Sequence, residues 1–285
     1  MESIEITHKA KDRDLFATGA LKYTKWIVNQ PPGLYTSMKP QVLNFSKYSG
    51  CGNDFIIVLA SDVKGKYPLC KVLSMCDRGT SVGADGVILV GTFNNNVEWT
   101  FYNSDGSNVE MCGNGARCVV QYCLDNNIKK FGKNFSLVNN FGIETKVTFE
   151  DESFYVQMPR SKFVNFTDKM HDKFTWNIQQ LIEVGVPHFV FKELEMDKIK
   201  YPSFKGSHME ERTGIDANTN LYFANRETNQ IHIRTHERGV NAETLACGTG
   251  CCAVAVNEYS STGKTYFEFV VKSEEIIKVK TIIDA

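Results

Sequence analysis

Two copies of one short pattern constrain this chain more than anything else in it: MCGNGARC around Cys112 and ACGTGCCA around Cys247. In each, a cysteine precedes Gly-x-Gly and then an apolar run of helical character, RCVVQYCLDNN after the first and CCAVAVNEYSS after the second. A turn that opens a helix leaves backbone N–H groups free at the positive end of the helix dipole. Such an end binds carboxylates and lowers the pKa of a thiol beside it. A single Cys-Gly-x-Gly is a weak signal, because glycine marks turns and cysteine is often a small buried residue. Two copies imply two related units that hold one small carboxylate between two acid/base groups. Such a site takes a proton from one face of a carbon and returns one to the other. Neither copy is CxxC and no Cys/His pairs sit at zinc-finger spacing, so no metal site is expected.

At 285 residues the chain is long enough for about two domains. A net charge of −1 with no basic stripe argues against nucleic-acid and anionic-membrane partners. The N-terminus, MESIEITHKAKDRD, is charged and lacks an apolar signal core, and no stretch approaches the ~20 apolar residues of a membrane span. Nine cysteines, clustered near the glycine turns and in apolar runs, read as reduced thiols in a cytoplasmic protein.

The first forty-odd residues differ from the rest. Asp14 is placed to cap a helix, LFATGALKYTKWIV, whose Phe16, Ala20, Tyr23 and Ile27 recur at helical spacing, and QPPGLY stops it. From Asn44 the pattern is strand-rich: NFSKY, the loop SGCGNDF, IIVLA, GVILV, VEWTFYN, ETKVTFE and FYVQM, then HFVFKEL, NLYFANR, QIHIRTHER and YFEFVVK. Helices are predicted over 117–127 and 251–261. Each half is thus several strands plus one helix headed by CGxG, an internal pseudo-repeat in motif order. The predicted divisions are an extension at 1–43, a half at 44–156 carrying Cys112 and a half at 157–285 carrying Cys247.

From Asn44 to about residue 280 the chain resembles diaminopimelate epimerase. The matching blocks fall in the family's order: KYSGCGNDF, RGTSVGADG, FYNSDGSNVEMCGNGARC, GVPHFV and ERGVNAETLACGTG. The resemblance implies an α+β fold of two pseudo-symmetric domains, each a β-barrel-like sheet around a central helix, with the active site in the cleft between them. It implies cofactor-free interconversion of LL- and meso-diaminopimelate on the route to lysine and peptidoglycan, and a homodimer. Residues 4–43 resemble the C-terminal end of dihydrodipicolinate reductase, with His8, Arg13, Phe16, Ala17, Ala20, Gly33, Leu34 and Tyr35 in that family's order. No GxGxxG follows an opening strand, so no reductase activity is expected, and the chain reads as part of a reductase–epimerase fusion or as its remnant, with association with a reductase as a partner.

Carried over residue by residue, the resemblance makes Cys112 and Cys247 the two bases, with His188 partnering Cys112 and Glu237 partnering Cys247. Gly113, Asn114, Gly248 and Thr249 offer backbone N–H groups to the α-carboxylate. Arg238 suits a bidentate grip on the distal carboxylate, and Asn53, Asn103 and Asn220 match the family's amide contacts. Cys51, Cys118, Cys251 and Cys252 are read as packing residues. Four departures stand out. The usual Asn of GNPH is Val186, which removes a donor at the distal end and predicts weaker binding or looser specificity. ERGVNAET is one residue longer than the usual ERGxGET, two further cysteines follow Cys247, and the chain stops at VKTIIDA, short of the closing strands expected. Alternatives are a truncated non-catalytic amino-acid binder, a relaxed-specificity racemase of the proline racemase kind, and a thiol redox protein. The proline-racemase motif has His where Asn114 stands. A phenazine-type isomerase, which uses a carboxylate in place of the cysteine pair, is disfavoured.

Overall fold

The computed structural model describes residues 14–29, 43–63, 74–93, 96–108, 111–128, 134–150, 153–167, 178–195, 207–238 and 242–283. The chain divides into two compact units, Met1–Leu43 and Asn44–Ala285. In the first, helix α1 (Asp14–Ile27) has Asp14 in its first turn and Lys25 in its last, each complementing the helix dipole. Tyr23 and Trp26 pack as tilted rings 5.3 Å between centroids, while Phe16, Leu21 and Val28 stay exposed. The predicted QPPGLY stop lies outside the described residues.

The second unit holds two sheets. The first runs in sequence order through β1 (Ser46–Gly50), β2 (Asn53–Leu59), β3 (Gly86–Phe93), β4 (Asn96–Asn103), β5 (Asn134–Asn139), β6 (Glu144–Glu150) and β7 (Ser153–Val156). The second contains β8 (Ser161–Phe163), β9 (Gln180–Val184), β10 (Val186–Glu193), β11 (Asn218–Ala224), β12 (Gln230–Glu237), β14 (Tyr266–Val270) and β15 (Ile276–Lys280), and β13 (Ala242–Thr244) pairs with β12. Helix α2 (Gly113–Asp125) packs on the first sheet, burying Val119, Val120 and Cys123 against Phe55, Ile88, Trp99 and Leu137. Helix α4 (Gly248–Thr262) does the same on the second, placing Cys251, Val254 and Ala255 against Ile182, Val190, Tyr222 and Phe269. The short helix α3 (Ser207–Thr213) packs on the other face of the second sheet, where Met209 joins Leu181, Phe189, Phe191 and Leu221. Successive side chains of a strand point to opposite faces, so with both faces covered β10 and β11 read as near-continuous apolar runs. The expected α+β architecture of two sheet-and-helix halves is what the structure contains.

Both helices begin earlier than their apolar runs predicted. They start at Gly113 and Gly248 rather than Arg117 and Cys251, so the Gly-x-Gly is the first helical turn and not a loop ahead of it. Gly263, in the left-handed region at φ 69°, ends α4, its N–H donating to the Tyr259 carbonyl at 2.8 Å. SGCGND is a two-residue hairpin. Gly50 pairs with Asn53, and both Cys51 (φ 58°) and Gly52 (φ 86°) take positive φ, the requirement of a type I′ turn. A side chain on Gly52 would collide with Leu245, so this hairpin of the first half lies against the entry to the second motif.

One polar cluster is closed inside the second half. Glu258 of α4 accepts from Tyr222 Oη at 2.5 Å and from Lys192 Nζ at 2.6 Å, and Asn257 Nδ2 donates to Tyr222 Oη at 2.9 Å. Glu258 and Tyr222 are buried. This network ties the C-terminal half of α4 to β10 and β11.

Candidate active site

Cys112 and Cys247 occupy equivalent places, each the extended residue just before a helix, with φ/ψ of −139°/104° and −130°/105°. Their carbonyls accept the first intrahelical bonds, from Ala116 N–H at 2.8 Å and Cys251 N–H at 3.0 Å. The Cys112 sulfur also caps its own helix, accepting from Gly115 N–H at 3.3 Å. Cys247 Sγ lies 3.4 Å from the Thr249 hydroxyl. The N–H groups of Gly113 and Asn114, and of Gly248 and Thr249, precede the first intrahelical bond and lie at the positive ends of the two dipoles.

Asn114 does more than lend an N–H. Its Nδ2 donates to Asn53 Oδ1 at 3.4 Å and across to the Ala246 carbonyl at 3.3 Å, one residue before Cys247. Its Oδ1 accepts from Arg117 Nη2 at 3.0 Å, and the same nitrogen reaches Cys51 Sγ at 3.5 Å. Asn114 thus links the first motif to the second across the two helix starts. Asn53 is held from its other side. Its Nδ2 donates to Asp85 Oδ2 at 2.8 Å, and Arg78 bridges Asp85 and Asp54 at 2.8 and 2.5 Å. That gives the RGTSVGADG block a physical role: it fixes the amide of Asn53. An open groove of about 580 Å³ lies beside this cluster, lined by Lys47, Tyr48, Ser49, Gly52, Asp54, Arg78 and Leu245. Neither cysteine lines it; Cys112 is partly exposed and Cys247 buried.

Glu237, at the end of β12, accepts from the Thr244 hydroxyl at 2.6 Å and shares a hydrogen bond with Cys247. Burial raises its pKa, and those two bonds partly offset the rise. Its charge also raises both thiols, so one carboxylate acts on the two cysteines together.

The thiols depart from the sequence expectation. A helix N-terminus was expected to lower them; instead burial pushes Cys112 up to about 11, against which the Gly115 N–H bond is a smaller effect, with the charge of Glu237 adding to the rise. Cys247 is pushed up further, by burial and then by Glu237. Loss of hydration outweighs the partial charge of a helix end when the sulfur is enclosed. Both therefore hold their protons at neutral pH. A thiol whose folded pKa is raised contributes its stability fully below the unfolded value near 9 and loses it as pH rises towards the folded value. The urea midpoint is expected to hold to about pH 9 and fall between about pH 9 and pH 11. Cys112→Ala should lessen the fall, and an unchanged slope would show that Cys112 is hydrated.

His188, expected beside Cys112, is fully buried on β10, and its recorded hydrogen bond is to Asn220, Nδ1 to Nδ2 at 3.1 Å. Burial, then the charge of Arg238, push it down to about 3, so the ring is neutral. Asn220, expected to contact a ligand, is itself fully buried, and both ends of its amide have protein partners. Its place is in the sheet interior on β11. The reason is register: the NLYF run pairs with β10 and β12 on both sides.

Asn103 sits at the end of β4 opposite Gly86, its Nδ2 donating to Ser107 Oγ at 2.9 Å. The Arg238 guanidinium is partly exposed and lies 3.5 Å from Asp216, and its backbone N–H donates to Asn218 Oδ1 at 2.9 Å. Asn218 was missed in the sequence, although it opens β11 directly beside His188. The available signal was the alternation NTN, which puts Asn218 and Asn220 on one face. Val186 opens β10, half-buried. The lengthened loop at 239–241 lies outside the described residues. No cluster able to hold a metal occurs among the described residues.

The fold matches solved structures of low identity. One is a phenazine biosynthesis protein of the PhzF family from Bacillus anthracis (TM-score 0.65, 10% identity, covering 83% of this chain and 88% of that one). Another is a hydroxyproline epimerase from Agrobacterium vitis (TM-score 0.52, 11% identity, 81% and 82%). These place the chain in the class of two-sheet folds with one central helix per half. The diaminopimelate epimerase family model matches residues 45–164, and the model for the C-terminus of dihydrodipicolinate reductase matches residues 1–40. Diaminopimelate epimerase of Hydrogenobaculum sp. is 32% identical over 260 residues, 82% of this chain and 90% of that protein. The Campylobacter jejuni enzyme of the same name (serotype O:2) is 34% identical over 258 residues, 85% and 98%. The chain belongs to the diaminopimelate epimerase family.

Proposed function

We propose that this chain interconverts LL- and meso-2,6-diaminopimelate by a two-thiol mechanism that uses no cofactor. The observation that carries this reading is the pair of helix starts headed by cysteines, stapled together by Asn114 and sharing one half-buried carboxylate, Glu237. The N–H groups of Gly113, Asn114, Gly248 and Thr249 receive the α-carboxylate and stabilise the charge that develops on it when the α-proton leaves.

In one direction the Cys247 thiolate takes the α-proton and the Cys112 thiol gives its proton to the opposite face. The C–H bond broken is replaced by one of inverted configuration, and the negative charge passes from one sulfur to the other. Glu237, bonded to Cys247 and raised by burial, is the group that takes the Cys247 proton to start the cycle. Arg238 meets the distal carboxylate, and Asn53 and Asn103 supply amides near the ligand. The match at residues 1–40 supports association with a reductase of the same route.

Proton NMR of LL-diaminopimelate in D2O with the reduced protein tests this. Deuterium at the α-carbon with growth of the meso isomer is expected. A folded protein that gives neither is not an epimerase of this substrate.

A further inference from the structure

His188, Asn220 and Thr235 form a row across three neighbouring strands. Val190 pairs with Asn220 and Asn220 with Thr235, and His188 lies two residues before Val190, so all three side chains share the face that meets α4. All are buried, His188 and Asn220 completely. The row ends two residues before Glu237 on β12.

The orientation of the Asn220 amide follows from its neighbours. One end lies 3.1 Å from the Phe189 carbonyl, which only accepts, so that end is the NH2. The other end takes the Thr235 hydroxyl proton at 3.0 Å. The same NH2 lies 3.1 Å from His188 Nδ1, which must therefore be the unprotonated nitrogen of the ring. A neutral imidazole with Nδ1 accepting carries its proton on Nε2. That Nε2 is buried and has no hydrogen-bond partner among the described residues. A buried donor left unpaired is costly, so one that persists calls for a catalytic role or for a partner that a water or ligand supplies.

We propose that Asn220 is a positioning residue that locks His188 as its Nε2–H form, making His188 a hydrogen-bond donor to an anionic group of the bound ligand and not a proton acceptor. Gly250, the last glycine of the second motif, belongs to the same device. A Cβ there would overlap Asn220 Oδ1 and press on Thr235 Oγ1, so a bare Cα is what lets the amide stand between the histidine and the helix start. The role of the ligand rests on the epimerase reading; the tautomer does not.

The test is 15N NMR of the histidine-labelled, reduced protein without substrate, beside Asn220→Asp. The wild type is expected to show a protonated Nε2 and a bare Nδ1 for His188. In Asn220→Asp an acceptor replaces the donor, so Nδ1 is expected to gain a proton, as the other tautomer or as the imidazolium. With substrate, kcat/KM of Asn220→Asp should fall about tenfold or more, with KM raised, because the donor to the ligand's anionic group is lost. A wild-type ring protonated at Nδ1 overturns the proposal whatever the variant does. So does an Asn220→Asp ring whose Nδ1 stays bare. A protein with the expected tautomer but no epimerisation would sink the proposed reaction and leave the Asn220 lock standing.

Discussion

Alanine at Cys112 or at Cys247 is expected to lower net epimerisation by about 10²–10⁴-fold, the range for loss of one positioned acid or base. In the proposed mechanism each sulfur serves one face of the α-carbon, so neither can replace the other. Both side chains are small and sit at helix N-caps whose backbone bonds survive the change, and only the Cys112 sulfur makes a capping bond, so both variants should fold. Far-UV circular dichroism and the urea midpoint would establish that, with the rate followed in both directions by the NMR assay. If either variant inverts the α-carbon at the wild-type rate, the two-thiol reading is wrong. Loss in both variants, with each fold intact, separates an epimerase from a binder that merely keeps the motifs.

Glu258→Ala is expected to cost about 3 kcal/mol of stability, because it leaves the Lys192 ammonium and the buried Tyr222 hydroxyl without their acceptor. Lys192 keeps part of its side chain in water, which holds the cost at the lower end of that for a broken buried pair. Glu258→Gln preserves shape and one acceptor oxygen and should lose less. Urea unfolding under reductant measures both. A change below about 0.5 kcal/mol for Glu258→Ala would show that the network is hydrated and does not bind α4 to its sheet.

Much of the architecture was legible because its signals are local. Alternation placed ETKVTFE and QIHIRTHER as strands, and both appear with nearly the predicted bounds. Of the strands that escaped, those at 161–163 and 242–244 are short and the one at Leu181 and Ile182 runs apolar on consecutive residues, where both faces of the sheet are covered. Asn134–Asn139 and Ile276–Lys280 escaped as well, the latter although its burial alternates. The helix starts were predicted late because glycine argues against helix in any local reading. At a first turn those backbone positions need no side chain and accept close neighbours, Met158 over Gly113 and Asn220 under Gly250.

The candidate site divides along the same line. The sequence alone determined that two cysteines head two helices and that Glu237 and Arg238 lie on one strand end, since capping and strand order act over a few residues. Only the tertiary structure decided which groups each side chain meets. It turned Asn220 into the partner of His188, made Asn114 the staple between the halves, and raised the thiols that a helix end by itself would lower. Burial and cross-strand register join residues far apart in the chain, and desolvation of a sulfur outweighs the dipole beside it.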